Sequence, residues 1–252
     1  MSGDRGAAEA SRGTAGGAAA DTQPGDKVDF DDYSANYDEL LRESTKLYAD
    51  DSEYFARYKV DLIRKAAAGS GASVRRVLEY GCGTGRNISY LRAAFPGAEV
   101  VGTDVSAESL RVARAGNPQQ RFEVEQEGLE LGRFDLIFVA SVFHHIPPAV
   151  RATVMGTLSR RLEPNGSIDV FEHNPYNPVT RRIVDNCPFD ADAILLKPPE
   201  LRDLFAGAGL KLQRQTYCLF VPPRLKWFLP LERFLGWLPL GGQYWMSAGR
   251  EA

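Results

Sequence analysis

From residue 75 onward the chain alternates short runs of β-branched and aromatic residues with segments of helical period, and this alternation restricts the fold more than any other feature. RRVLEYG, AEVVGTDVS, RFEVEQE, FDLIFVASVF and GSIDVFEHN read as five strands, the third the weakest. RNISYLRAAF, AESLRVARAG and PAVRATVMGTLSRRL read as helices between them. Apolar strands separated by helices form a parallel sheet covered on both faces. Further on, PPELRDLFAGAG reads as a helix, KLQRQTYCLFVP as a strand, and GGQYWMSAGR as a last strand pairing with it. The expected class is α/β: a doubly wound, Rossmann-like sheet, mostly parallel with an antiparallel last strand and helices on both faces. Such sheets bind ligands beyond the carboxyl ends of their strands.

With 252 residues the chain is long enough for one ample core with attachments. The expected organisation is a disordered tail over 1–27, a helical cap over 28–70, and a catalytic domain over 71–252 with an aromatic insert at about 222–242. The tail is small, polar and aperiodic, and lacks the apolar core of a signal peptide. In the cap, FDDYSANYDELLRE spaces Phe30, Tyr33 and Tyr37 along one helical face, and SEYFARYKVDLIRKAAAGSG reads as a second helix with Ser52 as N-cap. A net charge of −3 argues against a sequence-independent nucleic-acid binder. Three widely spaced cysteines, Cys82, Cys187 and Cys218, suggest a reducing, cytoplasmic compartment and no disulfide framework. No run is apolar and long enough to span a bilayer, and no Cys/His pair has zinc spacing.

VLEYGCGTGRN (77–87) places Gly81, Cys82, Gly83 and Gly85 where the first strand must turn into its helix. A nucleoside-triphosphate loop would end Gly-Lys-Ser/Thr, but Arg86 and Asn87 follow here. A dinucleotide loop, GxGxxG, would need its last glycine at Arg86 or Ile88. The order acid-x-Gly-x-Gly-x-Gly, opened by Glu79, suits S-adenosylmethionine instead. A carboxylate closing the second strand should grip the ribose hydroxyls of such a ligand, and Asp104 stands there.

Together VLEYGCGTGRN, VVGTDVS, FDLIFVASVFHHI and LEPNGSIDVFEHN resemble class I S-adenosylmethionine-dependent methyltransferases, in particular the small-molecule branch with ubiquinone- and menaquinone-type enzymes. The resemblance implies that Glu79, Gly81 and Gly83, with Cys82 and Gly85 in the same loop, hold the methionine part. It implies that Asp104 holds the ribose, with Val105 and Ser106 beside the adenine, while Glu125, Gln126 and Glu127 stand where the family often carries an adenine-binding acid. Tyr33 and Tyr37 match tyrosines of the family's cap helix, which close over cofactor or substrate. No metal is implied.

Histidine is scarce, yet His144, His145 and His173 all fall at carboxyl ends of expected strands. With Glu172 they are the candidate catalytic groups, because methyl transfer requires the acceptor to be aligned, desolvated and sometimes deprotonated. EHNPYNPVTRRIVDNCPFDADAILLKPPEL reads as a long irregular loop in which Asn174, Tyr176 and Arg181 can meet a polar substrate. The insert FVPPRLKWFLPLERFLGWLPLGGQYW carries exposed-looking aromatics, as a lid over an apolar substrate, a membrane-surface contact or a dimer contact does. The expected activity is in-line methyl transfer to a small, partly apolar metabolite. Two alternatives remain open: transfer or cyclisation of the aminocarboxypropyl arm of the same sulfonium, and a non-catalytic binding protein on this fold.

Overall fold

The computed structural model describes residues 53–71 and 73–250. Tyr33, Tyr37, Ser52, the tail and the first cap helix lie outside the described residues. Within them the order is α1 (Glu53–Ser70), β1 (Arg76–Tyr80), α2 (Ile88–Ala94), β2 (Glu99–Asp104), α3 (Ala107–Gly116), β3 (Arg121–Val124), β4 (Phe134–Ala140), α4 (Pro148–Arg160), β5 (Leu162–His173), α5 (Pro178–Asp185), α6 (Pro198–Gly207), β6 (Lys211–Cys218) and β7 (Gln243–Gly249). The strands form one seven-stranded sheet in the order β3-β2-β1-β4-β5-β7-β6. β1 to β5 pair in parallel, while β7 runs antiparallel to both β5 and β6. The expected class and the antiparallel last strand are borne out.

Successive strand residues face opposite sides, and both sides are apolar. Val77, Val100, Leu136 and Phe138 pack with Val60 and Ile63 of α1, Ile88 and Leu91 of α2, and Leu110 of α3. Their neighbours Leu78, Val101, Ile137 and Val139 pack with Met155 and Leu158 of α4 and with Leu201 and Phe205 of α6. This two-sided burial explains why the strands read as unbroken apolar runs. Helix α1 enters the first cluster with Ala56, Lys59, Val60 and Ile63 buried. The spacing of three, one and three residues is one face of a helix, so a lysine sits within its apolar stripe.

The long irregular loop expected after β5 is only partly irregular. Asn177 caps α5, its Oδ1 accepting from Val179 N–H at 2.8 Å and Thr180 N–H at 3.2 Å, and Pro178 occupies the first helical position. An Asn-Pro pair is a helix start as well as a strand stop, and the turning prolines hid that signal. In the insert, a kinked 3-10 stretch (Pro223–Phe228) leads into one helical turn at Leu229–Glu232. Tyr58 of α1 donates its hydroxyl to Glu232, which also accepts from Val221 N–H at 2.7 Å. The insert nevertheless leaves Trp227 85% and Trp237 76% exposed. The three cysteines are buried, and none is in a disulfide. Among the described residues no helix is long and apolar enough to cross a membrane.

Candidate active site

The chain runs from β1 to β2 on one side and returns to β4 on the other, so the carboxyl ends of β1 and β4 flank the point where the strand order reverses. The glycine turn leaves β1 there. Gly81, Gly83 and Gly85 all have positive φ, at 69°, 52° and 78°. What crowds them differs. A Cβ on Gly81 would lie 2.5 Å from Val142 Cγ2, and one on Gly85 would lie 3.1 Å from the Ala113 Cβ. A Cβ on Gly83 would meet nothing within 4 Å. The protein's own packing thus excludes side chains at Gly81 and Gly85, and of the three only Gly83 borders open space. Cys82 turns its side chain into the core with α3 and β3, so only its backbone borders the bend.

Asp104, ending β2, folds back on this turn. Its Oδ2 accepts from Gly83 N–H at 2.7 Å and its Oδ1 from Ser106 N–H at 2.9 Å. These two contacts orient the carboxylate towards the turn. Val105 stands 69% exposed beside it. Ser106, expected beside an adenine, is the N-cap of α3 and accepts from Ser109 N–H at 2.9 Å. Glu125 forms a two-pronged pair with Arg161, 2.9 Å at each oxygen. Of the three residues expected near an adenine amine, it is therefore the committed one; Gln126 and Glu127 are exposed.

Glu79 lies at the floor of the turn, 2% exposed. Its Oε1 accepts from Asn87 Nδ2 at 2.6 Å, while Oε2 is buried without a partner, as is Thr84 Oγ1 in the turn itself. Buried polar atoms are normally satisfied, so the unpaired Glu79 oxygen marks a place for an outside partner. Burial pushes the Glu79 carboxyl up to about 8, against the pull of the Asn87 amide and the Lys59 ammonium. Lys59, buried on α1, is pushed down to about 8 by the same loss of solvent, with Glu172 and Glu79 among the anions that oppose it. Lys59 was missed in the sequence, although its place on the apolar stripe of α1 was the available signal.

Just after β4 comes Ser141, a non-glycine residue with φ 59°, and a 3-10 turn follows at Phe143–His145. Glu172 of β5, fully buried, holds this turn: Oε1 accepts from Val142 N–H at 3.0 Å and Phe143 N–H at 2.7 Å, and Oε2 meets His144 Nδ1 at 2.6 Å. Burial disfavours the His144 imidazolium, but Glu172 and Asp190, one near each ring nitrogen, outweigh it and raise the ring to about 9. His173, at the end of β5, packs its ring 4.9 Å from that of His144 and is lowered to about 4 by burial and this neighbour. His145 stacks 4.1 Å from His144 on the other side. The three histidines and Glu172 thus form one cluster. It also contains Asp190 and Asp192, which no local pattern in CPFDADA distinguishes.

The residues expected to touch substrate separate. Asn174 is buried, and its amide donates to Pro239 O at 3.1 Å and Gly241 O at 2.8 Å while its Oδ1 accepts from Tyr176 N–H at 3.0 Å. With both donors used, it ties the turn after β5 to the end of the insert, and its expected place among substrate contacts is corrected to this bracing role. Asn177 and Thr180 make the same tie through Leu240 O and Gly242 O, at 2.7 and 2.9 Å. Tyr176 and Arg181 are exposed. Asn174→Ala is expected to lower stability by about 1–3 kcal/mol, the cost of leaving buried carbonyls unpaired; urea unfolding measures it, and an unchanged midpoint would contradict the bracing role.

Residues 78–168 match the family model described as a methyltransferase domain. The chain is 32% identical over 147 residues to a trans-aconitate 2-methyltransferase of Azoarcus sp. (strain BH72), covering 56% of this chain and 53% of that one. It is 34% identical over 108 residues to the demethylmenaquinone methyltransferase of Thermus thermophilus, covering 40% and 48%. The chain thus spans about half the length of these curated relatives. Among solved structures it superposes on the magnesium protoporphyrin IX methyltransferase of Synechocystis, solved with bound S-adenosylmethionine, at a TM-score of 0.58 and 15% identity, over 89% of this chain and 98% of that one. The described residues thus share the fold of solved S-adenosylmethionine-dependent methyltransferases, the fold that the sequence resemblance implied.

Proposed function

We propose that the protein is an S-adenosylmethionine-dependent methyltransferase acting on a small, partly apolar metabolite. One observation carries the reading: the unpaired Glu79 oxygen, the open side of Gly83 and the oriented Asp104 carboxylate meet at the switch point of the sheet. They fit the three polar parts of this cofactor. Glu79 Oε2 receives its ammonium, the Gly83 backbone borders its amino-acid arm, and the Asp104 carboxylate receives the ribose hydroxyls. Val105 offers an apolar surface to the adenine. Bound there, the cofactor supplies an electrophilic methyl group on a sulfonium. The chain's own work is to align the acceptor and exclude water. His144, His145, His173 and Glu172 stand on the same rim, and we assign them to orienting the acceptor and taking its proton where it carries one.

We assign residues 28–70 to a cap over a catalytic domain at 71–252, with Tyr33 and Tyr37 facing the bound ligands. Tyr176 and Arg181 stand at the substrate entrance. The exposed aromatics of the insert cover the apolar part of the acceptor; contact with a membrane surface or a second copy is the other use we assign to them. We place the protein in the cytoplasm. Incubation with labelled S-adenosylmethionine and a panel of small acceptors tests the reading. S-adenosylhomocysteine as the leftover nucleoside supports methyl transfer, methylthioadenosine points to transfer of the aminocarboxypropyl arm, and no binding at millimolar cofactor sinks the proposal.

A pH dependence follows from Glu79. Its carboxyl must ionise to receive the ammonium, so binding releases a proton wherever pH lies below about 8. Affinity is expected to rise by up to tenfold per pH unit towards 8, and to decline above it as the ligand's own α-amino group, ordinarily about 7.7–8.0, loses its proton. In the free protein the raised value means that the contribution of Glu79 to stability is full below its ordinary 4.5 and lost as pH rises through about 8. Calorimetric titration from pH 6 to 9 checks this; Glu79→Gln should flatten the rising limb.

A further inference from the structure

The geometry points to a divalent-cation site of zinc type formed by His144 Nε2, His145 Nε2 and the Asp190 carboxylate. One ligand atom from each residue lies within 4.8 Å of the others. Asp190 Oδ1 stands 3.5 Å from His144 Nε2 and 3.3 Å from His145 Nε2. Ligand bonds of about 2.0–2.1 Å in a tetrahedron put neighbouring donor atoms roughly 3.3–3.4 Å apart. The spacing is therefore that of ligands around a small cation as well as that of a loose ion pair.

Three features favour the cation. His144 is 1% exposed, its Nε2 is buried, and Asp190 Oδ1 at 3.5 Å stands beyond ordinary hydrogen-bond length from it. A buried ring nitrogen left so is costly, and it is aimed at the other two donors. Both histidines are also held from behind. His144 Nδ1 meets Glu172 Oε2 at 2.6 Å, and His145 Nδ1 meets Asp192 Oδ1 at 3.4 Å. Carboxylates on the far nitrogens set the tautomer that presents Nε2 to a metal and orient the ring, the arrangement that supports ligating histidines generally. Finally, Glu172 is itself fixed by two backbone N–H groups, and Asp190 ends a 3-10 turn at Pro188–Asp190, so the donors are placed by ordered elements.

Two imidazoles and one carboxylate leave a coordination position open, as in catalytic rather than structural zinc sites. Loading the site displaces any proton on His144 Nε2 to solvent; no electron is transferred. The assignment rests on these side chains and not on cofactor binding, so either can fail alone; with the site loaded, His144 and His145 are ligands and the proton-taking role passes to His173. The arrangement without a metal is a histidine cation shared between Glu172 and Asp190, and the experiment separates the two.

The full chain is stripped with chelator, dialysed against zinc chloride and analysed for metal content; cobalt(II) is added in parallel and its visible absorption recorded. One equivalent of zinc per chain and the intense visible bands of four-coordinate cobalt are expected. His145→Ala and Asp190→Asn each remove a ligand and should weaken binding by more than 100-fold, beyond the roughly 10- to 100-fold expected of the supporting change Asp192→Asn. Circular dichroism establishes that each variant is folded, and His145→Gln serves if His145→Ala is not. Less than a tenth of an equivalent of zinc in the wild-type chain overturns the inference. So does stoichiometric binding that survives all of these substitutions, which would place the metal elsewhere.

Discussion

Asp104→Ala is expected to weaken binding of S-adenosylmethionine by about 2–3 kcal/mol, roughly 30- to 150-fold, the worth of charge-assisted hydrogen bonds to the ribose. The same change leaves Gly83 N–H and Ser106 N–H without their acceptor, so it also loosens the turn. Asp104→Asn separates the two effects. It keeps one acceptor oxygen for the turn but loses the charge, and so should retain most of the stability while still losing much of the affinity. Isothermal titration and thermal unfolding on both variants make the comparison. Equal cofactor affinity in Asp104→Ala and the wild type would remove the ribose from this carboxylate.

The second large effect is expected at Gly81. Gly81→Ala puts a methyl group 2.5 Å from Val142 Cγ2 and 2.9 Å from its Cγ1, in a backbone conformation with φ 69°. The left-handed conformation costs about 1–2 kcal/mol and overpacking against a stiff β-branched side chain about 1–3 kcal/mol more. A loss of roughly 2–5 kcal/mol in stability follows. Val142→Ala in the same chain should recover much of the packing part, because the two residues are in contact and their effects are coupled. Gly83→Ala makes the contrast. It has no neighbour within 4 Å, so only the conformational cost applies to folding. Its methyl group enters the open side of the turn, and cofactor affinity should fall while the chain stays folded. Denaturant unfolding and titration of the three variants decide between an internal and an external reason for these glycines.

The parallel core was legible because burial on both faces leaves a strand such as β4 with an apolar run in place of alternation, and AESLRVARAG coincides with α3 at both ends. Ser106 was legible as a residue at the end of β2, but its work as the cap of α3 shows only in the structure. Asn174 looked like a substrate ligand because polar residues between prolines resemble a binding loop, but it and Asn177 brace the insert. Their true partners, the carbonyls of Pro239 to Gly242, lie more than sixty residues away in sequence. Lys59 was visible as a lysine on an apolar helical stripe, yet only the packed structure shows that carboxylates of β1 and β5 balance its burial.

By itself the sequence determined the class of fold, the position of the turn after β1 and the carboxylate that closes β2, because each depends on periodicity or on residues close along the chain. The tertiary structure alone decided what crowds each glycine, which oxygen of Glu79 lacks a partner, and that Asp190 and Asp192 stand against His144 and His145. Those facts depend on elements that meet only when the sheet reverses its order between β1 and β4 and the segment after β5 folds back over their ends. Local propensity carries no information about such meetings, since the free energy that selects them comes from burial shared between distant parts of the chain.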